Sequence, residues 1–170
     1  MLVLVGVGRR VGAQAFDLRY GPLAQPVVVP LEDLSIPWRA RQFVAEGVTL
    51  SSAATPNRSI RITGMVVRTS AGDNAPDKFT AVCVRCPHEG CDCDFVADPT
   101  SLAQDIKTEI GRPVDHSVYV CPCHNSTFKA EDGERLIGPA PRGLYRFRVT
   151  KVTDSAVEIA EVEEDMLIFV

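Results

Sequence analysis

Cys121-Pro122-Cys123-His124-Asn125-Ser126 is the stretch that decides the fold of this chain, and Cys86-Pro87-His88-Glu89-Gly90-Cys91 is its counterpart earlier in the sequence. Each stretch offers one histidine and two cysteines. Together they supply four side chains that can bind a metal and leave two cysteines over. We therefore expect the fold to bring these two stretches side by side.

The residue types in the two stretches select the kind of metal centre. Mixed histidine and thiolate ligands favour either zinc or an iron–sulfur centre. Zinc sites use Cys-Cys or His-His pairs, whereas each stretch here pairs a cysteine with a histidine, Cys86 with His88 and Cys121 with His124. This pattern indicates a two-iron cluster in which the cysteines hold one iron and the histidines hold the other. A zinc-bearing structural module is the non-redox alternative.

Four cysteines remain outside this set. Cys91 and Cys123 lie one in each stretch; a disulfide between them would cross-link the two loops and would imply an oxidising compartment, and buried thiols are the alternative. Cys83 and Cys93 flank the first stretch. We interpret them either as small core residues, which is favoured for Cys83 in the apolar strand 81–84, or as a second disulfide.

Length and charge limit the possible functions. A chain of 170 residues is long enough for one ordinary domain. Its net charge is −4 and its basic residues form no block, so we do not expect a nucleic-acid partner. The sequence has no run of about twenty apolar residues, and therefore predicts no complete membrane-spanning helix.

The sequence divides into four segments. Residues 1–15 are interpreted as the remnant of a membrane anchor or secretory signal, with a buried strand as the alternative. Residues 16–46 are predicted to be an extended proline-rich connector with at most a short strand at Val27-Val28-Val29. Residues 47–160 form the metal-binding domain, with its cluster loops at 83–95 and 119–142. Residues 161–170 form an acidic and then apolar tail.

Short strands separated by turn residues predict a mostly β, antiparallel fold. The predicted strands are 58–69, 79–84, 117–120, 144–152 and 156–160. Gly64 indicates a bulge or a close backbone approach within the first of them. Between the two stretches, Leu102, Ile106 and Ile110 predict one short amphipathic helix, with Ser101 and Gln104 as a capping box and Gly111 as its stop.

The two stretches resemble the two cluster-binding boxes of the Rieske iron–sulfur protein family. Gly138-Pro139-Ala140-Pro141 resembles the proline loop of the iron–sulfur subunits of cytochrome bc and b6f complexes. The resemblance covers residues 60–160 and implies an antiparallel β-sandwich with a small cluster-binding subdomain and a [2Fe-2S] cluster. It assigns Cys86 and Cys121 to the inner iron, His88 and His124 to the outer, partly exposed iron, and Cys91 and Cys123 to a loop disulfide.

The resemblance also gives roles to residues around the cluster. Ser126 would donate a hydrogen bond to the cluster sulfurs, which raises the reduction potential. Many relatives carry a second donor, a tyrosine, where this chain has Phe128. Asn125 replaces the usual glycine, and Glu89 stands where quinol-oxidising relatives often carry an apolar residue. Glu89 is interpreted either as an ordinary exposed glutamate or as a residue of docking or proton movement.

The resemblance implies one-electron transfer within a quinol:cytochrome c oxidoreductase. A quinol would hydrogen-bond to His124 or His88, and the partners would be a cytochrome b-type membrane subunit and a c-type cytochrome. We expect a periplasmic location or the outer face of the bacterial cytoplasmic membrane, reached by association or by a truncated N-terminal anchor. A Rieske subunit of a periplasmic molybdenum oxidoreductase, similar to arsenite oxidase, is the alternative. Aromatic-ring oxygenases and their ferredoxins generally lack the spare loop cysteines.

The absence of a hydroxyl at Phe128 predicts a lower reduction potential than that of relatives with tyrosine there. Phe128→Tyr should raise the midpoint potential, because a hydrogen bond to a cluster sulfur stabilises the reduced form. A redox titration of both proteins measures the shift. An unchanged or lower midpoint in the variant would count against this argument.

Overall fold

The computed structural model describes residues 18–50 and 58–164. This part of the chain forms ten strands in two antiparallel sheets, together with one α-helix, so the mostly β fold predicted from the sequence is confirmed. The strands are β1 Tyr20–Pro30, β2 Ala40–Leu50, β3 Arg58–Arg68, β4 Phe79–Cys83, β5 Asp94–Val96, β6 Val118–Val120, β7 Thr127–Lys129, β8 Arg135–Ile137, β9 Arg146–Val152 and β10 Ala156–Glu163. The helix, α1, spans Gln104–Ile110.

The larger sheet has six strands in the order β1-β10-β9-β4-β3-β2. Its two edge strands, β1 and β2, also contact each other, so the sheet curls around its own apolar face. Alternate residues of its strands point into this core, as the two-residue period of a strand requires. Phe147 and Val149 on β9 and Val157 and Ile159 on β10 are buried there. This core is the base on which the metal-binding region stands.

The smaller sheet has four strands in the order β5-β6-β7-β8 and carries the metal-binding region. A second apolar core joins it to the large sheet. Val67 and Val82 of the large sheet and Tyr119 and Phe128 of the small sheet are all buried in that core. Cys86, Cys93 and Cys121 lie in the same cluster, which places the cysteines of both stretches between the sheets.

The prediction of a connector over residues 16–46 is wrong for its described part. β1 pairs antiparallel with β10, from Tyr20 opposite Glu163 to Pro30 opposite Ala156, and β2 pairs with β3. Proline is tolerated in β1 because this strand has a hydrogen-bonded partner on one side only and its register shifts between Pro22 and Val27. The prolines were therefore misinterpreted as the mark of a connector, although they lie in a strand of the domain.

The C-terminal boundary of the domain also differs from the predicted one. The predicted C-terminal tail begins inside β10, which continues to Glu163. Residues 165–170 and the predicted anchor or signal at 1–15 lie outside the described residues. Within 18–50 and 58–164, no helix has the length and apolar character needed to cross a membrane.

The predicted helix is present and packs on the small sheet. Ile106 is buried together with Leu102 and Val118, and Gly111 ends the helix in a left-handed conformation with φ 68°. The predicted capping box is wrong. Ala103 occupies the N-cap without a side-chain hydrogen bond. The Ser101 hydroxyl instead donates to the Asp98 carbonyl at 2.7 Å.

Gly64 is the point of close approach that the sequence indicated. It lies opposite Phe43 in the β2–β3 pair, and the Phe43 ring covers it. A Cβ at Gly64 would lie 2.3 Å from Phe43 Cζ. Gly64→Ala should therefore lower the free energy of unfolding by about 1–3 kcal/mol, the usual range for overpacking a core, as measured by denaturant unfolding.

Gly21→Ala is the matched control, because a Cβ at Gly21 would meet only the Glu164 side chain, at 3.5 Å. The control should unfold like the unmodified protein. Equal stability of the two variants would contradict the role assigned to the contact between Gly64 and Phe43.

Candidate metal centre

The two metal-binding stretches fold as equivalent six-residue turns, which we call the first loop (86–91) and the second loop (121–126). In the first loop, the N–H of Cys86 donates to the carbonyl of Cys91 at 2.8 Å, and the N–H of Gly90 donates to the carbonyl of Cys86 at 2.9 Å. The second loop repeats both hydrogen bonds: the N–H of Cys121 donates to the carbonyl of Ser126 at 2.8 Å, and the N–H of Asn125 donates to the carbonyl of Cys121 at 2.9 Å. The chain thus builds the same turn twice.

The fifth residue of each loop has a left-handed backbone conformation. It is Gly90 in the first loop, with φ 76°, and Asn125 in the second, with φ 56°. Asparagine enters this region more readily than most residues because its side chain is short and polar. Replacing the usual glycine by Asn125 therefore preserves the turn, and the Asn125 amide also reaches Asp105 of α1 at 3.5 Å.

The two loops place thiols inward and imidazoles outward. Cys86 and Cys121 are each 2% exposed, and their Sγ atoms lie within 4.8 Å of each other. The side chains of His88 and His124 are 29% and 47% exposed, with ring centroids 4.9 Å apart and planes at 78°. This is the arrangement expected from the sequence, with cysteines inside and histidines at the tip.

A disulfide joins Cys91 to Cys123, as the resemblance implied, and cross-links the two loops over a sequence separation of 32. On the chain-entropy model, a closed loop of this length stabilises the folded chain by about 3–4 kcal/mol. Both sulfurs lie within 4.8 Å of Cys121 Sγ. The cross-link therefore fixes the loops next to one of the buried thiols.

The donor set fits a two-iron cluster with mixed ligands. Burial raises the pKa of Cys86, and a nearby metal charge is what lets such a thiol bind as thiolate. Two inner thiolates and two outer imidazoles divide the ligands between two irons. A family model described as Rieske [2Fe-2S] domain matches residues 44–152, more than half of the chain. The chain belongs to the Rieske family. No curated protein matches it.

A Rieske domain carries one electron at a time on its [2Fe-2S] cluster, and neutral histidine ligands raise the potential above that of an all-cysteine cluster. Cys86, His88, Cys121 and His124 are the residues that would hold the cluster here. The zinc alternative is therefore set aside. The remaining features of this Rieske site show how the chain fixes and tunes these four residues.

Ser126 connects the second loop to the proline loop (138–141). Its side chain is fully buried, and its Oγ accepts a hydrogen bond from the Ala140 N–H at 3.1 Å. Burial is the main cause that raises the pKa of the Cys86 thiol, and a hydrogen bond from the Ser126 hydroxyl to the Cys86 sulfur acts against it. Ser126 thus links the proline loop to a cluster-side sulfur, consistent with the donor role expected for it.

The proline loop is fastened at both of its ends. Arg135 Nη1 donates to the carbonyls of Gly138 and Ala140, at 2.9 Å and 2.7 Å. Beyond the loop, Arg142 pairs with Glu163, which is 4% exposed and also accepts from the Arg146 N–H at 3.1 Å. The sequence analysis missed Glu163, because it assigned residues after 160 to a tail.

Glu89 lies at the tip between the two imidazoles. Its carboxylate oxygens are 3.9 Å from His88 Nε2 and 3.8 Å from His124 Nδ1, and its side chain is 60% exposed. The sequence left its role open between an ordinary surface residue and a functional one. The structure places its charge in contact with both histidines, so it belongs to the exposed edge of the centre.

Cys83 and Cys93 are both free and buried, so the hypothesis of a second disulfide is wrong. Cys83 is a core residue whose Sγ accepts from the Arg85 N–H at 3.4 Å, and burial raises its pKa to about 11. Cys93 differs, because its Sγ lies within 4.8 Å of both Cys86 Sγ and Cys121 Sγ. The sequence analysis named Cys93 only as a core residue or a disulfide partner and did not predict its place beside the two inner thiols.

Gly138 permits the proline loop to pack on the second loop. Its φ is 88°, and a Cβ there would lie 2.5 Å from Ser126 Cα. Gly138→Ala should lower stability by about 2–4 kcal/mol through strain and crowding. It should also lower the midpoint potential, because displacing the loop disturbs the hydrogen bonds of Ser126.

Gly72→Ala separates backbone strain from crowding, since Gly72 has φ 114° but no atom within 4 Å of its Cβ position. Denaturant unfolding and redox titration of both variants provide the comparison. A lowered midpoint in Gly72→Ala, or an unchanged midpoint in Gly138→Ala, would contradict the link between the proline loop and the cluster.

Proposed function

We propose that this Rieske protein is the iron–sulfur subunit of a quinol:cytochrome c oxidoreductase of the cytochrome bc type. The observation that carries the proposal is the contrast in exposure at the centre. The thiols of Cys86 and Cys121 are buried, while His88 and His124 form the open edge. A small organic donor can therefore reach the imidazoles without displacing any part of the fold.

The exposed imidazoles suit a donor that releases a proton together with an electron. A quinol hydroxyl would donate a hydrogen bond to the His124 or His88 nitrogen that is not used for ligation, and that nitrogen would take up the proton. When bound, the [2Fe-2S] cluster supplies one-electron chemistry. The disulfide and the turn hydrogen bonds fix the two loops that carry these imidazoles, which limits the reorganisation that accompanies transfer.

The proline loop supports a role in docking against a protein partner. Pro139 and Pro141 are exposed, while Ala140 between them is buried and hydrogen-bonded to Ser126. A surface fixed in this way presents the same shape before and after binding, which lowers the entropic cost of association. The proposed partners are a cytochrome b-type membrane subunit and a c-type cytochrome.

The disulfide supports a periplasmic position or the outer face of the bacterial cytoplasmic membrane, because such bonds persist in oxidising compartments. Membrane attachment through the partner subunit is part of the same proposal. The connector predicted over 16–46 has no part in this attachment within its described residues, because β1 and β2 occupy most of them.

Glu89 favours a second candidate, the Rieske subunit of a periplasmic molybdenum oxidoreductase similar to arsenite oxidase. Its exposed carboxylate places a negative charge between the two histidines. An apolar tip suits insertion into a membrane subunit, whereas a charged tip suits the polar rim of an interface between water-soluble proteins.

The intact complex, purified from detergent-treated whole cells through an affinity-tagged chain, distinguishes the two candidates. We expect haem b absorption in the purified complex, and an EPR spectrum of the reduced cluster that changes when an inhibitor of the quinol site binds. The isolated tagged protein is the control and should not respond to the inhibitor. Co-purification of molybdenum without haem b, with an unchanged spectrum, would overturn the proposal in favour of the second candidate.

A further inference from the structure

The proline loop covers the thiol side of the centre with one buried side chain. Ala140 is fully buried in the apolar core that contains Cys86 and Cys121, whereas the prolines on either side of it are exposed. Displacing Ala140 would therefore open this core to solvent without unfolding either sheet. The imidazoles at the tip do not depend on this cover, because they are already exposed.

The proline loop has few hydrogen-bond donors of its own to hold it closed. The strand before it, β8, ends at Ile137, and the two prolines of the loop have no N–H. Only Gly138 and Ala140 therefore carry an amide hydrogen, and the Ala140 N–H donates to Ser126 Oγ at 3.1 Å. The closed position thus depends also on hydrogen bonds that other residues donate to the loop carbonyls.

Arg135 donates these hydrogen bonds. Its Nη1 atom donates to the carbonyls of Gly138 and Ala140, at 2.9 Å and 2.7 Å. Its backbone is fixed to the small sheet, because it lies on β8 opposite the fully buried Phe128. Within the described part of the chain Arg135 forms no ion pair, so its charge is directed at the two loop carbonyls. Hydrogen bonds from a charged donor are stronger than those between neutral groups.

We propose that Arg135 is the clasp that keeps the proline loop closed over the inner thiols and thereby limits the access of water and small chelators to the cluster. A surface segment can open locally without global unfolding, and the frequency of opening depends on the few contacts that break. The apolar shell around a metal site controls the access of solvent to it. Arg135 is thus a positioning residue that acts on cluster retention through the proline loop. The proposal rests on the Rieske cluster and holds for either candidate complex.

Loss of the cluster to an excess of an iron chelator tests the clasp, with the visible absorption of the loaded full chain as the measurement. Arg135→Met keeps most of the side-chain length but removes the donors. It should speed cluster loss about tenfold or more, because a hydrogen bond from a charged group shifts an opening equilibrium by about that factor. Arg135→Lys keeps a charged donor and should lie between Arg135→Met and the unmodified protein. An unchanged rate in Arg135→Met would overturn the proposal.

Hydrogen exchange of the loop amides is a readout that a general loss of stability would not move selectively. Because the prolines carry no amide hydrogen, the segment 138–141 reports on Gly138 and Ala140 alone. Both amides should exchange faster in loaded Arg135→Met, while the amides of β9 and β10 keep their rates. Faster cluster loss together with unchanged exchange in this segment would show that the loop is not the route, and would overturn the clasp.

Arg148→Met is the matched control. It removes an exposed arginine of the large sheet, which pairs with Glu161 at 2.7 Å, and it changes the net charge by the same amount. Cluster loss and loop exchange should both stay unchanged in this control, and an equal acceleration would attribute the effect to the lost charge and overturn the clasp. Should Arg135→Met fail to take up the cluster, Arg135→Lys decides the question. Its cluster loss and loop exchange should both exceed those of the unmodified protein, and equal rates would overturn the proposal.

Discussion

The burial of two thiols in a core shared by both sheets is the constraint on which the centre depends. Cys86 and Cys121 lie among apolar residues from the large and the small sheet, and burial raises the pKa of the Cys86 thiol, which favours its neutral form. A bound metal supplies the positive charge that reverses this preference, so the fold and the cluster support each other. The same packing leaves the histidines as the accessible edge, since they follow the buried cysteines by two and three residues in tight turns.

The large sheet contributes to the centre from a distance. The last described strand carries Glu163, which holds Arg142, and Arg142 follows the proline loop directly. Arg135 binds the loop carbonyls from the other side, and Gly138 rests on Ser126 of the second loop. The redox site is therefore connected to β10 through the proline loop, which contacts Ser126 at one side and is followed by the Arg142–Glu163 ion pair at the other. Surface loops on a rigid scaffold are a common way of placing functional side chains.

Several features of this fold and site could be predicted from the sequence, because they depend on the local spacing of residues. The paired cysteine and histidine motifs predicted the inward and outward donors, and the stop at Gly111 predicted the end of α1. The contribution of β1 was not predictable from its prolines, since an edge strand tolerates residues that a central strand does not. The position of Cys93 Sγ beside Cys86 Sγ and Cys121 Sγ was equally unpredictable, because it arises from tertiary packing that no short motif records.

The prolines of β1 also disfavour the pairing of this edge strand with a strand of another molecule. A free strand edge offers unpaired backbone groups to any other strand, and exposed apolar side chains beside it make such pairing more favourable. Val28 on β1 is 62% exposed, and Val44 on β2 is 39% exposed. Pro22, Pro26 and Pro30 remove three N–H donors from β1, so another chain would find an interrupted template there. The prolines that made this strand hard to predict from the sequence thus also oppose aggregation through its edge.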